Sequence, residues 1–317
     1  MPRCLLALGA NLGNREGTLQ EALGGLAELP RTRLITRSNW HDTSPVGGPA
    51  DQQSFLNGAV VLDTGLEAQE LADHFQAIEA QHGRERKIRW AARSLDIDLL
   101  LYGRVSIDTP QLVIPHPRMT FRRFVLAPAA EIAGHMVVTG SGWTIAALLD
   151  HLRTAPRYVA LAAADHQHAD RLAGQLCQRL NALRLEDFFP IACQKDNSRL
   201  VSAVEWQKHL ELLTRLKTSD RETKMSLTPV ISGFWHPAEQ SRHLMACVQP
   251  ALVIAVDPTP SESFNERIGG GKAQIECQEF HELIHRPSLG PLAKITAANP
   301  EIVVDEAVAA IQAALSD

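Results

Sequence analysis

Asp96 and Asp98 stand one residue apart in the run Leu95-Asp96-Ile97-Asp98-Leu99-Leu100-Leu101. Aliphatic residues around a period-two alternation predict a strand. Residues i and i+2 of a strand share a face, so the two carboxylates point the same way, about 7 Å apart at Cα. Such a pair repels itself unless a cation sits between its members. Mg²⁺ suits the position, because it binds one or two carboxylates and fills its shell with water and substrate phosphate oxygens. Just upstream, Arg84, Arg86, Lys87, Arg89 and Arg93 are packed into ten residues. Guanidinium forks match phosphate oxygens. A cation-binding acid pair beside a phosphate-binding loop is equipment for magnesium–nucleotide chemistry. The plainer alternative is a solvated basic loop next to an ordinary edge strand, and the surrounding elements have to decide.

Those elements alternate in type. Cys4 to Leu8 reads as a buried strand and 9–14 as a turn, followed by a helix with Leu19, Leu23 and Leu26 on one face and Pro30 closing it. Leu34 to Trp40 and Phe55 to Leu62 read as strands separated by the irregular loop Thr43-Ser44-Pro45-Val46-Gly47-Gly48-Pro49. Glu67 to His82 reads as a helix that turns Leu71, Phe75 and Ile78 inward, with Gly83 ending it. With the aspartate strand, the order is β-α-β-β-α-β, which predicts a ferredoxin-like α+β domain. A further segment runs through Pro115-His116-Pro117-Arg118 and Phe124 to Ile132, and a last helix covers about Ile145 to His151.

Length and composition set the frame. A chain of 317 residues suggests two domains. Its formal net charge of −5 gives no basic footprint for nucleic acid. Five scattered cysteines without a C-x-x-C pair suit reduced thiols and a cytoplasmic location. No run approaches the ~18 apolar residues of a membrane span. The short apolar run from Cys4 to Leu8 is not a secretory leader.

An ordered set of motifs then adds a resemblance. Gly9-Ala10-Asn11-Leu12-Gly13, Phe55-Leu56-Asn57, Gln76 with Glu79, Gly83-Arg84-Glu85-Arg86, Arg93-Ser94-Leu95-Asp96-Ile97-Asp98 and Pro115-His116-Pro117-Arg118-Met119 occur in this order. Together, over about residues 2–152, they resemble the 6-hydroxymethyl-7,8-dihydropterin pyrophosphokinase family of folate biosynthesis. Taken singly, each has a plain alternative: Phe55 and Phe124 as core, Gln76 and Glu79 as a polar helix face, His116 as a loop histidine. The resemblance implies transfer of pyrophosphate from ATP to the pterin hydroxymethyl group, releasing AMP. It implies that Arg86, Arg93, Asp96 and Asp98 carry the catalysis, with Asp96 and Asp98 holding two Mg²⁺ ions. It assigns ATP, the co-substrate, to Gln76, Glu79, Arg84, Trp90, His116 and Arg122, and the pterin to Thr43, Pro45, Phe55, Asn57 and Phe124. A flat heterocycle fits aromatic faces, and a buried amide can both donate to its edge and accept from it. Two positions depart from the family pattern. Ala91-Ala92 replace a Gly-Pro pair, which changes the cheap backbone angles of the basic loop, and Gln111 stands where a basic ATP contact can occur.

The expected division is 1–153 for this domain and 156–317 for a second, with Thr154-Ala155-Pro156 between them. In the second half, strands at Tyr158 to Ala164, Pro229 to Phe234, Ala251 to Val256 and Ile302 to Val304 alternate with helices, including His168 to Leu183, Glu276 to His285 and Glu306 to Leu315. Alternation of this kind predicts an α/β domain with a parallel sheet. Val230-Ile231-Ser232-Gly233-Phe234-Trp235 and Glu266-Arg267-Ile268 faintly resemble a deoxynucleoside kinase. The link after the first strand, Ala164-Asp165-His166-Gln167-His168-Ala169-Asp170, has neither glycine nor lysine for a phosphate loop, and Gly233 stands where an acid is expected. The expectation is a P-loop-kinase-like domain that has lost phosphoryl transfer and serves as a scaffold or interaction module, with no protein partner identifiable. Two other motifs offer alternatives. Gly269-Gly270-Gly271-Lys272 lacks the first glycine and the terminal hydroxyl of a phosphate loop, and His281-Glu282-Leu283-Ile284-His285 is a literal H-E-x-x-H that could hold zinc in a hydrolase. A third alternative is an ATP- and pterin-binding regulator with little turnover.

Overall fold

The structure, a computed structural model, describes residues 1–49, 52–83, 93–163, 166–184, 229–232, 250–256, 290–296 and 299–315. Among these the chain forms two compact units, Met1–Asp150 and His151–Leu315.

In the first unit, β1 (Arg3–Ala10), β2 (Thr32–Arg37), β3 (His41–Thr43), β4 (Phe55–Thr64) and β5 (Asp96–Tyr102) make one sheet in the order β2-β4-β1-β5, with β3 also paired to β4. All of these pairings are antiparallel. Two helices join the strands, α1 (Arg15–Ala27) and α2 (Ala68–Gln81). The Asn14 side chain caps α1 by accepting the Gly17 N–H at 3.1 Å. The Glu70 carboxylate reaches back to the Glu67 N–H at 2.9 Å at the start of α2. Leu19 and Leu26 of α1 and Leu71 and Phe75 of α2 join Leu6, Leu8, Val60, Leu62 and Leu99 of the sheet in one core. β1 is an interior strand, and Leu5 and Leu6 on its opposite faces are both fully buried.

The expected strand from Leu34 to Trp40 stops at Arg37, and the next strand, β3, begins only at His41. Ser38 interrupts it: its backbone N–H bonds the Ala59 carbonyl while its hydroxyl accepts the Ala59 N–H and donates to the Asn39 carbonyl. This side-chain competition with the ladder ends β2 and lets Trp40 cross Gly58. A Cβ at Gly58 would come within 2.3 Å of the Trp40 ring.

After β5 come a small hairpin of β6 (Ile107–Asp108) and β7 (Val113–Ile114), a 3₁₀ turn at Met119–Phe121, α3 (Arg123–Ala133) and α4 (Ile145–Thr154). α3 packs against β4.

The second unit holds β8 (Tyr158–Ala163), α5 (His166–Leu180), β9 (Leu183–Arg184), β10 (Val230–Ser232), β11 (Leu252–Val256), β12 (Leu292–Ile295) and α6 (Pro300–Leu315). Its sheet runs β12-β11-β8-β10-β9 and every pairing is parallel. All five residues of β11 are buried, as strands covered on both faces must be. The strand expected at Ile302 to Val304 is instead the first turn of α6. Pro300 is its first residue, and Val303, Val304, Ala307, Ala310 and Ile311 lie along one buried stripe. The strand supplied there is β12, eight residues upstream of that helix at its start. Among the described residues, no helix is long and apolar enough to cross a membrane.

Candidate active site

β5 is an edge strand of its sheet, which leaves one row of its backbone groups without a partner strand. Two anchors occupy that edge. The Glu79 carboxylate on α2, 2% exposed, accepts the Ile97 N–H at 2.8 Å. The register against β1 steps between Leu5 and Leu6, leaving Leu100 without an opposite number, and its carbonyl accepts the His116 N–H at 3.0 Å. The strand carrying the two aspartates is thus fixed on one side by β1, where Gly9 faces Asp96 and Ala7 faces Asp98, and on the other by Glu79 and the His116 segment.

Asp96 and Asp98 share a face and line one cavity of about 440 Å³. Cations ring them. An Arg93 Nη1 lies 2.7 Å from Asp96, and Arg122 Nη1 lies 4.0 Å from Asp98. Burial lowers the Arg122 pKa while Asp98 and Asp96 raise it, and the group stays a cation. The Arg122 guanidinium also lies 5.5 Å from the Phe124 ring centroid, so one side chain joins the acidic pair to the aromatic wall.

His116 Nε2 lies 3.8 Å from Asp98, close enough to suggest an ion pair. The electrostatics argue otherwise: burial, then Arg122 and Arg118, push its pKa down to about 3 against a smaller opposing pull from Asp96. The imidazole is therefore neutral at pH 7. Its Nδ1 accepts the Arg118 N–H at 3.2 Å, which places the ring proton on Nε2 as a donor facing the acidic pair.

Away from the acids, the same cavity is lined by Thr43, Phe55, Asn57 and Phe124. Asn57 is 8% exposed, and its amide nitrogen donates to the Thr43 hydroxyl at 2.7 Å. That bond leaves the Asn57 carbonyl oxygen aimed at Gly9, where a Cβ would approach it to 2.7 Å. Gly9 is thus required by close approach, a role that its place in the turn motif does not reveal. Pro45 is not among the lining residues, although its neighbours Ser44 and Val46 are. Arg118 also lines the cavity, a residue present in the Pro-His-Pro-Arg motif but given no role from sequence.

A second cavity, about 280 Å³, lies along the outer edge of β5 and is lined by Gln76, Glu79 and Gln111 with Phe75, Ile97 and Leu112. Asp98, His116 and Pro117 line both cavities, so Asp98 stands where the two meet, while Asp96 lines the larger one. Arg84, Arg86 and Trp90, the Ala91-Ala92 pair, Gly233, the Gly269–Lys272 run and the His281-Glu282-His285 motif lie outside the described residues.

Residues 5–134 match the family model described as 7,8-dihydro-6-hydroxymethylpterin-pyrophosphokinase. The chain is 45% identical over 131 residues to the 2-amino-4-hydroxy-6-hydroxymethyldihydropteridine pyrophosphokinase of Pseudomonas aeruginosa, covering 41% of this chain and 80% of that one. The chain belongs to this pyrophosphokinase family. The enzyme of the same name from Bacillus subtilis is 46% identical over 127 residues, which is 40% of this chain and 75% of its own. Among solved structures, a Plasmodium falciparum HPPK-DHPS crystal structure with pteroate is similar at a TM-score of 0.39 and 12% identity, covering 94% of this chain and 72% of that one. The family match falls on the part of the chain that carries the acidic pair.

Proposed function

We propose that the first unit catalyses magnesium-dependent transfer of the β,γ-diphosphate of ATP to 6-hydroxymethyl-7,8-dihydropterin, giving AMP and the pterin diphosphate. The observation that carries this reading is the junction of the two cavities at Asp98. The larger cavity suits the pterin: Phe55 and Phe124 offer aromatic faces, and Asn57, oriented by Thr43, reads the ring edge. The smaller cavity, with Phe75, Ile97 and Leu112 beside amide groups at Gln76 and Gln111, suits the nucleoside of ATP. The triphosphate then spans Asp98, bringing its β-phosphorus toward the pterin hydroxyl.

The residues present fit magnesium. Two carboxylates that share a face and open on a cavity provide hard oxygen ligands in the number this ion usually takes from protein. Asp96 and Asp98 would hold it, and when bound it would neutralise charge on the phosphate oxygens. The protein's own part is positional and electrostatic. Arg93 and Arg122 place guanidinium donors beside the acids, and His116 offers a neutral N–H that remains a donor at physiological pH. The pterin hydroxymethyl oxygen attacks the β-phosphorus as the bond to the α-phosphate oxygen breaks. The hydroxyl proton leaves to solvent, and AMP departs.

The sheet order of the first unit supports placing it in the ferredoxin-like class, since β5-β1-β4-β2 reproduces the split β-α-β arrangement. For the second unit, a parallel sheet with β8 central and two strands on each side supports the P-loop-kinase-like reading. The sequence that follows β8 carries neither the glycines nor the lysine of a phosphate loop. That lack supports a non-catalytic accessory role. The test is AMP formation from ATP with the pterin and Mg²⁺. Wild type is expected to form AMP only with pterin present, and Asp98→Ala to lose at least about 100-fold in kcat by the loss of a metal ligand. Wild-type protein that is folded and makes no AMP would overturn the proposal.

A further inference from the structure

The turn between β1 and α1 contains a polar side chain that nothing above uses. Asn11 is fully buried, 0% exposed. Its backbone N–H donates to the Arg93 carbonyl at 3.1 Å, and its side-chain Oδ1 accepts the Arg93 N–H at 2.7 Å. One residue thereby takes both backbone groups of another, 82 positions away in sequence. Arg93 in turn places a guanidinium nitrogen 2.7 Å from Asp96. The other end of the Asn11 amide makes longer contacts, 3.4 Å to the Gln53 carbonyl and 3.5 Å to the Gln52 side chain. Hydrogen bonds weaken steeply over that range, so the two contacts to Arg93 dominate.

We propose that Asn11 is a positioning residue for the transfer step, acting through Arg93. The backbone at Arg93 is where the basic loop rejoins β5, and Asp96 begins that strand three residues later. A two-point clamp at this position fixes where the guanidinium stands relative to the acidic pair. A backbone fixed only through its covalent neighbours leaves a long arginine side chain many rotamers, and misplacement of about 1 Å at a reacting centre costs on the order of 100-fold in rate. Asn is suited to the task because the site needs an acceptor on the side chain next to a donor on the same backbone. The weaker contacts to Gln52 and Gln53 predict that pterin binding depends on Asn11 much less than turnover does.

The inference rests on the role proposed for Arg93, and the test separates the two. Initial rates of AMP formation are measured on the full chain for wild type, Asn11→Ala, Arg93→Ala and the double variant, with melting curves for each. Asn11→Ala is expected to lower kcat about 10- to 100-fold while the KM for the pterin stays within about threefold. In the Arg93→Ala background the same substitution is expected to change kcat less than about twofold, because its route to the reaction is gone. Equal losses in both backgrounds, or wild-type kcat in Asn11→Ala, would overturn the inference. Wild-type kcat in Arg93→Ala would overturn the reading of Arg93 and the inference with it. Should Asn11→Ala fail to fold, Asn11→Asp carries the test: it keeps the acceptor for the Arg93 N–H, so kcat within about fivefold of wild type is expected, and a loss as deep as that of Arg93→Ala sinks the idea.

Discussion

At the scale of single residues, the site depends on a few atoms that have no room to move. Gly9 is the sharpest case. The Asn57 carbonyl oxygen occupies the space that any Cβ there would need, and Asn57 cannot simply swing away because its amide nitrogen is bonded to Thr43 at 2.7 Å. Gly9→Ala is therefore expected to raise the KM for the pterin at least about tenfold, the scale of losing one well-placed hydrogen bond in a buried pocket. The KM for ATP should change little, because Gly9 does not line the second cavity. Substrate-dependence curves for both substrates check this, and equal changes in the two KM values would count against the pocket assignment. His116 shows the opposite lesson. Its neighbours include a carboxylate, yet burial and two arginines keep it neutral, which makes it a donor without a charge that pH could switch near neutrality.

At the scale of elements, the site is assembled by holding secondary structures against one another at their ends. Glu79 satisfies an edge N–H of β5, and so ties α2 to the strand that bears both acids. Beside the larger cavity, Glu131 near the end of α3 accepts the Asn39 N–H at 2.9 Å and pairs with His41 Nε2 at 2.6 Å. α3 begins beside Phe124 and β3 ends at Thr43, so this clamp joins two walls of the larger cavity. Partial burial tends to raise the Glu131 pKa, but the hydrogen bonds from Asn39 and His41 outweigh it and hold the carboxyl below its usual 4.5. A carboxyl with a depressed folded-state pKa contributes stability that is complete above its unfolded value and is lost as pH falls through the folded one. Glu131→Gln is therefore expected to lower stability by about 0.5–1 kcal/mol at pH 7, the scale of a part-exposed pair. Denaturant melts at pH 7 and at pH 4 or below should show the gap between variant and wild type closing at the lower pH. A gap that widens on acidification would refute the clamp.

At the scale of the whole molecule, the division of the chain between Asp150 and His151 falls inside a helix, since α4 runs from Ile145 to Thr154. A shortened chain should therefore keep that helix whole, which Ala155 allows because its N–H bonds the His151 carbonyl at 2.8 Å. A chain of residues 1–155 is expected to form AMP with kcat within about threefold of the full chain, because every lining residue of both cavities precedes that point. A folded but inactive short chain would show that the second unit takes part in turnover and would end the accessory reading.

The sequence by itself determined much of the first unit. Strong periodicity, capping residues and an ordered series of motifs reported the element order and the acidic pair, because these are local properties of the chain. The parallel sheet of the second half was legible for the same reason. Where a local signal competed with packing, it misled: Val303 and Val304 favour a strand, but a full stripe of burial against the rest of the unit made them helical. Ser38 likewise ended a strand through bonds to Ala59, which only the sheet brings near. The tertiary structure alone decided that Asp98 stands between two cavities, that Glu79 secures an edge strand, and that Asn11 holds Arg93. Each of these joins residues far apart in the chain, and a one-dimensional pattern carries no record of which distant backbone group a side chain will satisfy.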